Sequence, residues 1–130
     1  MITGGLPTVF VSELDRSIRF FTETLGLALE QRFGDHWASV KAANGLTVGL
    51  HPASEESPAG RKGSITIGFN LDERIDTVVD RLKDQGVKFT KEIFQDGYSR
   101  IAYFADPDGN EFYMIELMSE WQERGPDASA

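Results

Sequence analysis

Apolar and polar positions along this 130-residue chain follow two periods, one of about two residues and one near 3.6, and the switches between them mark out its elements. Pro7 to Val11 (PTVFV) is short, apolar and β-branched, as a strand requires. Ser12-Glu13-Leu14-Asp15 supplies helix-capping side chains, and Leu14, Ile18, Phe21 and Leu25 then recur at helical spacing, so one stripe faces a core. A helix is expected near Asp15–Leu25, stopped by Gly26. Three strands follow at Ala28–Phe33, Trp37–Lys41 and Leu46–Leu50. Gly34-Asp35 and Asn44-Gly45 are the turns between them, the second a strong hairpin signal. The stretch from His51 to Gly63 is rich in Pro, Gly, Ser and charge, and residues 52–63 read as a linker.

After the linker the order repeats. Ser64–Leu71 reads as a strand, and Ile75, Val78, Val79 and Leu82 as the stripe of a helix near Glu73–Gln85, ended by Gly86. Val87–Phe94, Arg100–Ala105 and Glu111–Leu117 read as three more strands, with Asp108-Gly109-Asn110 as the last hairpin turn. The tail from Glu120 to Ala130 is polar and expected to fray. Ile18, Phe21 and Leu25 match Ile75, Val78 and Leu82 at one constant offset, and Gly26-Leu27 matches Gly86-Val87 after a three-residue insertion. The chain is therefore read as one α+β domain over residues 1–130, built from two diverged βαβββ modules at about 6–51 and 64–117.

The run from Val9 to Phe21 (VFVSELDRSIRFF), followed by Leu25-Gly26-Leu27, resembles the opening of vicinal oxygen chelate proteins. That superfamily includes glyoxalase I, bleomycin-resistance proteins and extradiol dioxygenases. Phe104-Ala105-Asp106-Pro107-Asp108-Gly109-Asn110-Glu111-Phe112 looks like its closing hairpin, and Leu82 to Phe89 (LKDQGVKF) is similar to the end of its second helix. The resemblance implies that the modules curl into a half-open, eight-stranded barrel around a cavity.

Strand parity then sorts the side chains, because successive residues face opposite sides. Pro7, Val9 and Val11, and likewise Ile65, Ile67 and Phe69, take the helix side. The first module is expected to line the cavity with Leu6, Thr8, Phe10, Trp37, Thr47 and His51. The second contributes Ser64, Thr66, Tyr103, Glu111 and Tyr113. Phe20, Phe21, Phe69 and Phe112 are assigned to the core, Trp121 to an edge, a dimer seam or the cavity mouth, and Arg100 to an exposed salt bridge or a ligand carboxylate.

Chelating members of the superfamily hold a divalent metal with four His or Glu side chains. The matching positions here are Leu6, Gly49, Ser64 and Tyr113. A divalent cation needs several O or N donors, which this set lacks, so no metal and no other cofactor is expected. A displaced site would draw on His51, Glu111 and His36. His51 and Glu111 are also the acid–base candidates that parity selects, with Glu116 near the strand end.

Composition narrows the classes further. There is no cysteine, which removes disulfides, thiolate nucleophiles and Cys-ligated zinc. The formal charge of −8 argues against nucleic acid and leaves room for a cationic ligand. No apolar run suits a membrane span and no signal peptide is evident, so a cytoplasmic location is expected. The resemblance and the aromatic lining together point to a metal-independent, small-molecule binding protein that sequesters a ligand such as an antibiotic. The ligand is expected to be aromatic or cationic, and the protein a homodimer. The alternative is a lyase, isomerase or dioxygenase-like enzyme of the same superfamily using His51 or Glu111, with or without a displaced metal.

Overall fold

Alternate β-branched and apolar positions at the start of the chain do form a strand in the computed structural model, which describes residues 1, 3, 5–60, 66–95, 97 and 99–117. The fold is mixed α+β, with two sheets and two helices. Its order is β1 (Thr8–Val11), α1 (Leu14–Arg19), β2 (Ala28–Phe33), β3 (Trp37–Lys41) and β4 (Thr47–Pro52). There follow β5 (Gly68–Asn70), α2 (Ile75–Asp84), β6 (Lys88–Phe89), β7 (Phe94–Gln95), β8 (Ser99–Ala105) and β9 (Glu111–Leu117). Two compact units result: Met1–Gly63 with Asp106–Asn110, and Ser64–Ala105 with Glu111–Ala130.

In the first unit the strands run β1-β4-β3-β2, with β1 parallel to β4 and the other pairs antiparallel. Helix α1 packs on β3 and β4. Val9, Val11, Ala38, Val40, Val48 and Leu50 are buried, as are Ile18 and Phe21 on the helical stripe. In the second unit the order is β5-β9-β8-β6, β7 also pairs with β8, and α2 packs on β8 and β9. Ile75, Val79 and Leu82 are buried there against the rings of Phe69, Phe104 and Phe112, which lie about 6 Å apart. Gly26 and Gly86 stop the helices at φ of 82° and 88°, a conformation that disfavours a Cβ. Leu27 N–H then closes on Phe21 O at 2.9 Å and Val87 N–H on Leu82 O at 3.0 Å.

Several expectations are corrected. Only Leu14–Arg19 is α-helical; Phe20–Thr24 widens into a π-helical turn, where Leu25 N–H reaches Phe20 O. Thr22 contributes to the change, because its hydroxyl donates to Ile18 O at 2.7 Å and competes for that carbonyl. Ser12 does not cap α1 with its side chain; Glu13 is the N-cap residue and makes no side-chain cap bond. The strand expected at Val87–Phe94 is two, β6 and β7. Phe89 to Phe94 spans five positions while its partner runs only three, from Phe104 to Ile101, so two extra residues bulge out of the ladder. The described residues accordingly hold nine strands, where eight were expected. The strand expected to end at Leu50 continues through Pro52, as β4, and pairs His51 with Phe10. Among the described residues no helix is long and apolar enough to cross a membrane. Ser64, Trp121 and the Glu120–Ala130 tail lie outside the described residues.

Candidate functional site

On the face of the first sheet away from α1, rings gather. Phe10 and His51 are register partners with centroids 5.7 Å apart, and Trp37 stands 6.4 Å from His51, each pair edge-to-face. The indole leans along the sheet onto Gly49, where a methyl group would collide with it. The same point lies 2.8 Å from Leu6 Cδ1, so Leu6, Trp37 and Gly49 meet. Thr8 pairs with Gly49, and Thr47 lies two residues further along that face of β4. All six lining residues expected from the first module thus share one face. His51 is exposed, its Nδ1 2.8 Å from Pro52 O.

A further ring joins them that sequence parity missed. Leu29 opposes Val40, but Gln31 already opposes Ser39 and Phe33 opposes Trp37, so β2 carries one extra residue at Glu30. This bulge turns Phe33 onto the face of Trp37, whereas plain alternation keeps it with Leu29. No residue type in Ala28–Phe33 marks the bulge.

The second unit has its own cluster. Tyr103 and Tyr113 are register partners with rings 6.0 Å apart, and Tyr113 lies over Gly68 as Trp37 lies over Gly49. Lys91 Nζ sits 4.3 Å from the Tyr103 ring centroid, so that ring already faces a cation from its own unit. Glu111 Oε2 accepts from Thr90 Oγ1 at 2.7 Å, and Glu111 O accepts from Thr66 Oγ1 at 2.8 Å. Thr66, Tyr103, Glu111 and Tyr113 thus come together, joined by Thr90 and Lys91.

Two candidates belong elsewhere. Glu116 shares the helix side of β9 with Phe112 and Met114, and its carboxylate accepts from Ile75 N–H at 2.9 Å, capping α2. Arg100 donates to both Asp76 oxygens, at 2.6 and 2.9 Å, so its guanidinium is committed within the unit. The hydrogen bond from Arg100 holds the Asp76 carboxyl below its ordinary range.

The Asp106–Asn110 turn is a clamp inside the first unit. Asp108 takes hydrogen bonds from Ser12 N–H and hydroxyl and from Arg16. Asn110 donates to Phe10 O at 3.3 Å and accepts from Gly60 N–H at 3.0 Å. Asp106 is buried and accepts from Asp108 N–H, Asn110 N–H and Asn110 Nδ2; burial outweighs these bonds and pushes its carboxyl up.

The positions that match the chelating ligands do not fit a divalent cation. Leu6 and Gly49 offer no side-chain donor, the Trp37 ring fills the space over Gly49, and Tyr113 lies against Gly68. Among the described residues no three His, Asp or Glu side chains gather as ligands.

A family model described as the glyoxalase/bleomycin resistance protein/dioxygenase superfamily matches residues 5–114. Among solved structures, the chain is similar to TnmS3, an antibiotic binding protein from Streptomyces sp. CB03234. The identity is 25%, the TM-score 0.74, and the match covers 91% of this chain and 99% of that one. A glyoxalase/bleomycin resistance protein from the same organism is 26% identical, with a TM-score of 0.69 over 86% of this chain and 98% of that one. The fosfomycin resistance protein FosX of Listeria monocytogenes shares the fold at 20% identity and a TM-score of 0.73, covering 92% and 98% of the two chains. No curated protein matches the sequence.

Proposed function

Because the chain belongs to the glyoxalase/bleomycin resistance protein/dioxygenase superfamily, we propose that it is a metal-independent binding protein that sequesters a small aromatic molecule. The row formed by Trp37, His51 and Phe10, with the indole pressed against Gly49, carries this reading. Aromatic side chains gathered on one face of a sheet suit an aromatic ligand, which can meet a ring by its face or its edge. The likeness to TnmS3, which binds an antibiotic, supports the same class. Fold alone does not assign function; the gathered rings are what favour a binding role.

Leu6, Thr8, Thr47, Ser64, Thr66, Tyr103, Glu111 and Tyr113 remain the proposed lining beside them. A cationic ligand suits Trp37 better than Tyr103, whose ring already faces Lys91. A cytoplasmic homodimer is part of the proposal.

Titration with proflavine, a flat aromatic cation, tests the reading in a Trp121→Phe background, where Trp37 is the fluorescent reporter. Saturable quenching is expected, with proflavine recovered chemically unchanged. Phe10→Ala should weaken binding by about tenfold, the loss of one stacked ring, with little change in melting. An enzyme using His51 or Glu111 predicts turnover of a bound compound instead. No saturable quenching by proflavine, or by the anionic 9-anthracenecarboxylate, would overturn the proposal.

A further inference from the structure

The arch between Phe89 and Phe94, two residues longer than the ladder needs, carries Lys91. Thr90 is still fastened to β8, its N–H on Tyr103 O at 2.9 Å, and the chain leaves the ladder after it. The departure brings Lys91 Nζ to 4.3 Å from the centroid of the Tyr103 ring. Bulges commonly re-aim a side chain in this way beside a functional site. Among the described residues no carboxylate comes within ion-pair distance of Lys91; Glu111 turns its carboxylate to Thr90 Oγ1 instead. The chain has 21 acidic side chains against 13 basic ones, yet this ammonium group is steadied only by a ring. A ring accepts from one side, so N–H donors of Lys91 stay open to an outside acceptor.

The neighbouring rung of the same sheet face is apolar. Phe94 opposes Ile101, and Ile101 opposes Ile115. The two isoleucines stand two residues from Tyr103 and Tyr113, so all five side chains share the face away from α2. Phe94 is 56% exposed and the isoleucines are half-buried. Two residues along a strand span about 7 Å, which sets the separation of this rung from the Tyr103–Tyr113 rung under Lys91. Resting on the binding reading above, we infer that the second unit's part of the site takes an organic acid. Its carboxylate pairs with Lys91, and its apolar body covers the rung of Phe94, Ile101 and Ile115. A sugar leaves that rung uncovered, and an organic cation meets the like charge of Lys91.

Fluorescence anisotropy in titrations of 9-anthracenepropionate and of the neutral 9-anthracenepropanol compares acid with alcohol on one apolar body. The acid is expected to bind about tenfold more tightly at low salt, the gain from one charged hydrogen bond, and the gap should narrow with added salt. Lys91→Met should bring the acid down to the alcohol, Lys91→Arg should keep the preference, and Phe94→Ala should weaken both compounds alike. Lys91 and Phe94 are exposed, so these variants should fold; an unchanged urea midpoint verifies it. Equal affinity of the two compounds, no binding of either, or a preference for the acid that survives in Lys91→Met overturns the inference. Saturable quenching of Trp37 by proflavine would in that case leave the binding reading standing. Failure of proflavine to bind as well removes both.

Discussion

Trp37 rests its indole on the backbone of Gly49, so closely that no side chain fits between them. The glycine is required for space, since its backbone is not in the left-handed region. Gly49→Ala should displace the ring and cost about 1–3 kcal/mol, the range for an overpacked position. Urea unfolding measures that cost, and proflavine quenching should weaken in the same variant. A variant as stable as the parent, with unchanged quenching, contradicts the stacking geometry.

The Arg100–Asp76 pair predicts a pH dependence. Its hydrogen bond holds the Asp76 carboxyl below the ordinary value of 3.8. With the folded value below the unfolded one, the pair stabilises the fold above pH 3.8 and loses that contribution as the pH falls through the folded value. The stability difference between the parent and Arg100→Met should therefore be largest near neutrality and shrink in acid. It should also fall with added salt, since Asp76 is half-exposed. A difference independent of pH would assign Arg100 to packing alone.

Removing the Asp106 carboxylate takes away the acceptor that three donors of the turn share. Asp106→Ala leaves Asp108 N–H, Asn110 N–H and Asn110 Nδ2 without their acceptor, at a cost on the order of 3 kcal/mol. Asp106→Asn keeps one acceptor oxygen and should lie between. Equilibrium unfolding of the two variants checks the order.

Metal independence is open to a direct test. Protein dialysed against EDTA should bind proflavine as before, and added zinc, nickel, iron(II) or manganese should leave the affinity unchanged, because Leu6 and Gly49 supply no donors. Stoichiometric metal retained through purification without chelators would contradict this part of the proposal.

What sequence could and could not disclose follows from where parity holds. Val9 and Val11 are buried and Phe10 half-buried between them, as simple alternation requires, and Tyr103 and Tyr113 share a face for the same reason. Alternation fails wherever a strand carries extra residues. The single one at Glu30 hid Phe33, and the two between Phe89 and Phe94 split a strand that composition reads as continuous. Neither bulge has a glycine to signal it. Arg100 and Glu116 illustrate a different loss: charge type says nothing of which face a residue takes, and both sit on the helix side, bonded to Asp76 and to the first turn of α2. Thr22, ordinary beside a helical stripe, gives no warning of the π turn that its hydroxyl accompanies.

The position of the Asp106–Asn110 turn has a consequence for the order of synthesis. These residues belong with the first unit, where Ser12, Arg16, Phe10 and Gly60 bond to them, yet they are made after Ser64–Ala105 of the second. Domains commonly fold as they leave the ribosome, amino-terminal part first. Here the amino-terminal unit emerges without its clamp, and its start of α1 stays unfastened until residue 110 has been translated. Completion of the first half thus waits on delivery of the last hairpin.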